Sequence, residues 1–143
     1  MTLKIEDCPC SGKNMKFYLG PWILLALQRL DGSYGYELKK YLEGEFKELG
    51  LGLNTSGLYR HLKAFEKRGM LSSRWDTHQG GVAKRRYSLT NKGRECLSRW
   101  VQTLAIQREV IERFFKKAGH ILMELPGLGP GEINILANES SVT

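Results

Sequence analysis

Two basic stretches of this sequence hold the residues best suited to chemistry, and that chemistry is recognition of a polyanion. The first runs Thr55-Ser56-Gly57-Leu58-Tyr59-Arg60-His61-Leu62-Lys63. As the start of a helix, Thr55, Ser56 and Gly57 keep the first turn slim, and the helix N-terminus offers backbone N–H groups to a phosphate. Tyr59, Arg60, His61 and Lys63 then reach base edges or flanking phosphates. Arg60 is the leading candidate for a base contact, because a guanidinium can bond guanine bidentately. The second stretch is Lys84-Arg85-Arg86, which follows a Gly80-Gly81 pair. Three cations on a hairpin suit a phosphate backbone or a minor groove, adding affinity and salt dependence more than sequence information. Tyr36 and Tyr59 each carry a hydroxyl able to bond a phosphate.

The charge distribution supports this assignment. The chain has 143 residues and a formal net charge of +7. Between Thr55 and Trp100 there are eleven Lys/Arg against three Asp/Glu, a surplus of eight, so the remainder carries −1. The excess is therefore a patch and not a general solubility charge. A solvated basic face without a partner is the bland alternative. Hydrophobic residues make up 41%, enough for a core and too many for a disordered chain. No apolar run approaches the ~18 residues of a membrane span, and the N-terminus lacks the pattern of an export signal. Three cysteines fit a reducing compartment better than a disulfide scaffold, so a cytoplasmic protein with no membrane partner is expected.

Several elements must position these side chains. Residues 1–16 read as an irregular arm. Gly20-Pro21 opens a helix whose apolar face is Ile23, Leu24, Leu27 and Leu30, ended by Asp31-Gly32. Ser33 is placed to cap a second helix bearing Leu38, Tyr41, Leu42 and Phe46, which Gly50 and Gly52 interrupt. Asn54 caps the third helix. Its inner face is Leu58, Leu62 and Phe65, which leaves Ser56, Tyr59, Arg60, Lys63 and Lys67 more exposed. After Gly69 the period becomes two: Leu71, Ser73 and Trp75 face one way and Ser72 and Arg74 the other. The returning strand, Lys84 to Leu89, sets Arg85, Tyr87 and Leu89 opposite Lys84, Arg86 and Ser88. Trp22 and Trp75 are expected to pack in the core. Three short helices and a basic hairpin make a winged helix-turn-helix over residues 17–90, a mainly α fold with a small β-hairpin wing.

Thr90 then caps a long helix, allotted residues 91–125, with residues 126–143 as a tail. Its stripe is Leu97, Val101, Leu104, Ile111 and Phe115, joined by Trp100 and Phe114 and interrupted by Arg108. Continued to Glu124 it would span about 50 Å. A small core cannot cover such a stripe, and a second copy of the chain is the simplest cover. Homodimerisation through this helix is expected, aided by the first helix and Trp22. Trp100 either packs or, facing its symmetry mate, lines an effector cavity.

The chain resembles the PadR family of transcriptional regulators. The resemblance rests on Tyr34-Gly35-Tyr36-Glu37-Leu38, Gly57-Leu58-Tyr59-Arg60 with Leu62 and Phe65-Glu66, Gly69-Met70-Leu71, the run from Trp75-Asp76 through Gly80-Gly81 to Lys84-Arg85-Arg86-Tyr87-Ser88-Leu89-Thr90, and Gly93. It implies a winged-helix repressor with a long C-terminal dimerisation helix, binding double-stranded DNA at an inverted-repeat operator as a two-fold dimer. An effector or partner, a small molecule among the candidates, would release it by changing the spacing of the two recognition helices. The wing and the Trp100 region also resemble the polyhydroxybutyrate-responsive repressors. The sequence departs from the family in two places. Thr55-Ser56-Gly57 stands where Pro, Gly and then Thr or Ser are usual, and Tyr34 stands where His is common. Operator sequence therefore does not carry over.

Other readings stay open. Cys8 and Cys10, as Cys-X-Cys, would give a dimer the four thiolates of a structural zinc site or a redox sensor, or else lie in an incidental arm. The sequence lacks a phosphate loop, a nucleophile elbow and a metalloprotease helix, so neither an enzyme nor a cofactor is implied. A protein-interaction adaptor on the same fold would have no need of the wing cations.

Overall fold

The computed structural model describes residues 18–77, 81, 83–119, 121 and 124. The elements run α1 (Leu19–Arg29), β1 (Ser33–Tyr34), α2 (Gly35–Lys47), α3 (Thr55–Lys67), β2 (Leu71–Asp76), β3 (Lys84–Leu89) and α4 (Asn91–Ala118). The chain divides into two compact units, Met1–Trp100 and Val101–Thr143.

In the first unit, α1, α2 and α3 bury apolar faces against one another. Ile23, Leu24, Leu27, Leu38, Leu42, Leu58 and Leu62 are fully buried, and Phe46, Phe65, Leu71, Tyr87 and Leu89 complete the core. Pro21 sits in the first turn of α1, where its missing N–H costs nothing. Gly69, at φ 80°, turns the chain out of α3 in a conformation other residues resist. Leu30, expected on the buried face, lies just past the end of α1 and is 37% exposed.

The sheet holds three antiparallel strands in the order β1-β3-β2. Leu71 pairs with Leu89, Ser73 with Tyr87 and Trp75 with Arg85, and β1 adds Ser33 to Tyr87 and Tyr34 to Arg86. The sequence pattern missed β1, because two residues are too few to show alternation. As a result Ser33 does not cap α2. Its hydroxyl donates to the Leu30 carbonyl, and the N-cap is Tyr34, whose N–H donates to Glu37 Oε1 at 3.1 Å. Trp75 is not core either. It lies beyond the last inward position of the hairpin and is 60% exposed, whereas Trp22 is half-buried with its ring edge-on to Phe46 at 5.3 Å.

Thr90 caps α4 as expected: its hydroxyl accepts the Gly93 N–H at 3.1 Å and donates to the Gly69 and Met70 carbonyls. Leu97 and Trp100 pack partly against the first unit's core, Trp100 edge-on to Tyr18 at 6.2 Å. In the second unit, Val101, Ile106, Val110, Ile111 and Phe114 are all more than half exposed, with Phe115 at 37% and Leu104 half-buried. The helix ends at Ala118, short of Glu124. The arm carrying Cys8 and Cys10, the Gly80 position of the hairpin turn and the tail lie outside the described residues.

Candidate nucleic-acid interface

Helix α3 is fixed at its start by Asn54, whose Oδ1 accepts the Gly57 N–H at 3.0 Å. With Leu58, Leu62 and Phe65 turned inward, the opposite face presents Ser56, Tyr59, Arg60, Lys63 and Lys67 to solvent. Among the described residues, Arg60 and Lys63 make no hydrogen bond or ion pair, so both cations stand ready for an external anion. Thr55 and Gly57 are half-buried. His61 is turned aside: Nδ1 lies 2.8 Å from the Gly57 carbonyl oxygen, and the ring meets Phe65 edge-on at 6.1 Å. Tyr59, 44% exposed, lies across the start of α2, so close that a Cβ on Gly35 would stand 2.7 Å from its Cε1. Tyr36 is 59% exposed, with the Lys40 ammonium 4.8 Å from its ring centre.

The wing divides its three consecutive cations. Arg85 shares a face with Trp75, its guanidinium 5.0 Å from the indole and 3.7 Å from Glu66 Oε2 on α3. Glu66 also accepts the Ser73 hydroxyl at 2.5 Å, tying α3 to β2. Lys84 and Arg86 lie on the other face. Arg86 donates from Nε to Asp76 Oδ2 and from a terminal nitrogen to the Gly32 carbonyl, both at 2.9 Å, and stacks 4.3 Å over the Tyr34 ring. The Tyr34 hydroxyl donates to the same Asp76 oxygen at 2.6 Å, and the Lys84 ammonium is 5.5 Å from the Tyr34 ring. The bond to Asp76 raises the Tyr34 hydroxyl above its ordinary 10.0, and the bond to Asp76 likewise raises the Arg86 guanidinium. Arg74 sits directly across from Arg86, exposed and without a partner among the described residues. An open cavity of about 470 Å³ is lined by Arg74, Trp75, Asp76, Thr77 and Arg86.

Sequence reasoning singled out Arg86 but not Tyr34, Asp76 or Arg74. Tyr34 and Asp76 meet across 42 positions, a pairing that only the sheet register brings about. The signals in the sequence are Tyr34, which stands where histidine is common in the family it resembles, and Asp76, which opens the wing run that carries the resemblance. Among the described residues no group of His, Cys, Asp and Glu is placed to hold a metal ion, and Cys96 is a free, half-buried thiol. No helix among them is long and apolar enough to cross a membrane.

A three-helix core, a three-stranded wing and a long following helix define a winged helix-turn-helix protein. Residues 23–99 match the model of the transcriptional regulator PadR-like family, and the chain belongs to that family. The wider fold is shared with solved structures. A transcriptional regulator from Clostridium thermocellum is 25% identical, with a TM-score of 0.61 over 68% of this chain and 89% of its own. A PadR family transcription regulator from hypervirulent Clostridium difficile is 25% identical, with a TM-score of 0.57 over 68% and 98%. A conserved protein described as a potential transcriptional factor is 25% identical, with a TM-score of 0.62 over 78% and 99%. No curated protein matches the chain. The chain is thus a transcriptional regulator of a DNA-binding, non-enzymatic family.

Proposed function

We propose that the protein is a cytoplasmic, homodimeric repressor that reads an inverted-repeat operator. In this reading α3 enters the major groove, with Arg60 on a base edge and Ser56, Tyr59 and Lys63 on bases or flanking phosphates. The wing lies along the backbone or minor groove with Lys84 and Arg85, and Tyr36 approaches a phosphate. The observation that carries the reading is the outward face of α3, where Arg60 and Lys63 are exposed and unpaired among the described residues. The exposed apolar face formed by Val101, Ile111 and Phe114 supports self-association through α4. An effector that shifts the two α3 helices from the roughly 34 Å half-site spacing would release the operator. The likeness to polyhydroxybutyrate-responsive repressors rests on the wing and Trp100 residues alone, and no effector class is drawn from it.

The test is binding of purified protein to the DNA upstream of its own gene, titrated against random duplex at several salt concentrations. A preference of ~10³ or more with a steep salt slope is expected. Equal, weak binding to both duplexes would sink specific recognition of that promoter.

A further inference from the structure

We infer that Arg86 is a positioning residue of the wing and not a phosphate contact: held by Asp76, the Gly32 carbonyl and the Tyr34 ring, it fixes the β2–β3 hairpin to β1 and so sets where the wing meets DNA. This rests on the reading that the wing touches DNA. Strand β1 has only two residues, paired through Ser33 with Tyr87 and Tyr34 with Arg86. So short a ladder holds poorly by itself. Arg86 supplies what the ladder lacks. Its planar fork spans the strands, reaching Asp76 on β2 and Gly32 just before β1, both at 2.9 Å. Tyr34 closes the ring through its own 2.6 Å bond to Asp76 and its stacking under the guanidinium.

A phosphate would have to take Arg86 away from a carboxylate already bonded to it, and would meet that carboxylate's negative charge in doing so. Arg74, directly opposite on the same face, has no such competitor among the described residues. A lysine cannot substitute, because an ammonium is a point donor without the two-directional fork.

The experiment compares Arg86→Gln, Arg86→Lys, Asp76→Asn and Tyr34→Phe in the full chain, with circular dichroism to confirm folding. Operator affinity is measured across salt concentrations, and amide exchange at Ser33, Tyr34 and Lys84–Leu89 is measured without DNA. If Arg86 positions the wing, Gln and Lys both weaken binding by about tenfold while the slope of log affinity against log salt stays that of the wild type. Asp76→Asn weakens binding too, although it removes a negative charge from the wing. Tyr34→Phe, which alters no charge, weakens it in the same direction, and exchange at β1 quickens in all four variants. The inference is overturned if Arg86→Lys binds like the wild type while Arg86→Gln flattens the slope, or if Asp76→Asn binds more tightly. Unchanged exchange in folded Arg86→Gln also overturns it. A wild-type protein that binds no DNA defeats the functional reading instead, and the exchange measurement still decides the anchor.

Discussion

Gly93→Ala separates two effects of opposite sign. Gly93 lies in the first turn of α4, where helix propensity alone would favour alanine by up to about 1 kcal/mol. The packing says otherwise. An added Cβ would stand 2.2 Å from the Met70 carbonyl oxygen and 2.7 Å from Leu89 Cδ1. Favourable carbon contacts lie at ~3.5–4.0 Å, so the helix start must move by about 1 Å or more. The Met70 carbonyl is backbone and cannot swing aside, and it accepts bonds from the Thr90 N–H at 3.1 Å and the Thr90 hydroxyl at 2.9 Å. Overpacking costs about 1–3 kcal/mol, and two loosened hydrogen bonds add about 1 kcal/mol each. After the propensity gain the net loss is about 2–4 kcal/mol, or roughly 10–20 °C in Tm for a domain of this size. Gly44→Ala on α2, where a Cβ meets nothing within 4 Å, is the control and should stabilise by about 0.5–1 kcal/mol. Thermal and urea unfolding of both variants measures the difference. A Gly93→Ala protein as stable as the wild type would refute the packing argument and leave Gly93 as a mere weak point in the helix.

Three further outcomes are expected. Lys63→Ala lowers affinity for all sequences alike and flattens the salt slope by ~1.8 in a two-fold dimer, while Arg60→Ala relaxes preference at one base pair per half-site by about 1–3 kcal/mol; binding-site selection on each variant tells them apart. Gly35→Ala places a Cβ 2.7 Å from Tyr59 Cε1 and 3.0 Å from its hydroxyl oxygen, so Tyr59 must swing off the α3 face. DNA affinity falls with little change in unfolding, and the same substitution made in a Tyr59→Ala background has no further effect. The Tyr34 hydroxyl, raised above 10.0 chiefly by its bond to Asp76, contributes stability that is fully present below pH 10 and is lost as pH rises through the folded value. The difference in phenolate absorbance between the wild type and Tyr34→Phe should show Tyr34 titrating late, and Asp76→Asn should bring it back toward the ordinary value.

The helices were legible because each carries its own evidence. Pro21 in a first turn, Asn54 at a cap, Gly69 after Lys67 and Thr90 before α4 are local signals, and three- and four-residue spacing identified the faces of α2 and α3. The misreadings fall where structure is decided at long range. Ser33 looked like a cap because its type suits one, yet pairing with Tyr87 draws it into a strand. Trp75 looked like core because it is large and apolar, yet its distance along the hairpin carries it past the buried layer. A local contact matters as well: His61 Nδ1 lies beside the Gly57 carbonyl one turn earlier, and the ring is half-buried while Arg60 and Lys63 are exposed.

The wing shows why a run of like charges cannot be read as a single patch. Alternation alone sends Arg85 to one face and Lys84 and Arg86 to the other. Register then supplies each with different company: Glu66 and Trp75 for Arg85, Asp76 and Tyr34 for Arg86. A cation already bonded to a carboxylate brings less net charge to a phosphate than one without a partner. Arg74 stands outside the run of three, yet among the described residues it is less committed than either arginine of that run. The capacity of a basic hairpin to bind DNA therefore depends on where its few acids lie. Here Asp76, opposite Lys84 and bonded to Arg86, decides which cations on its face stay available.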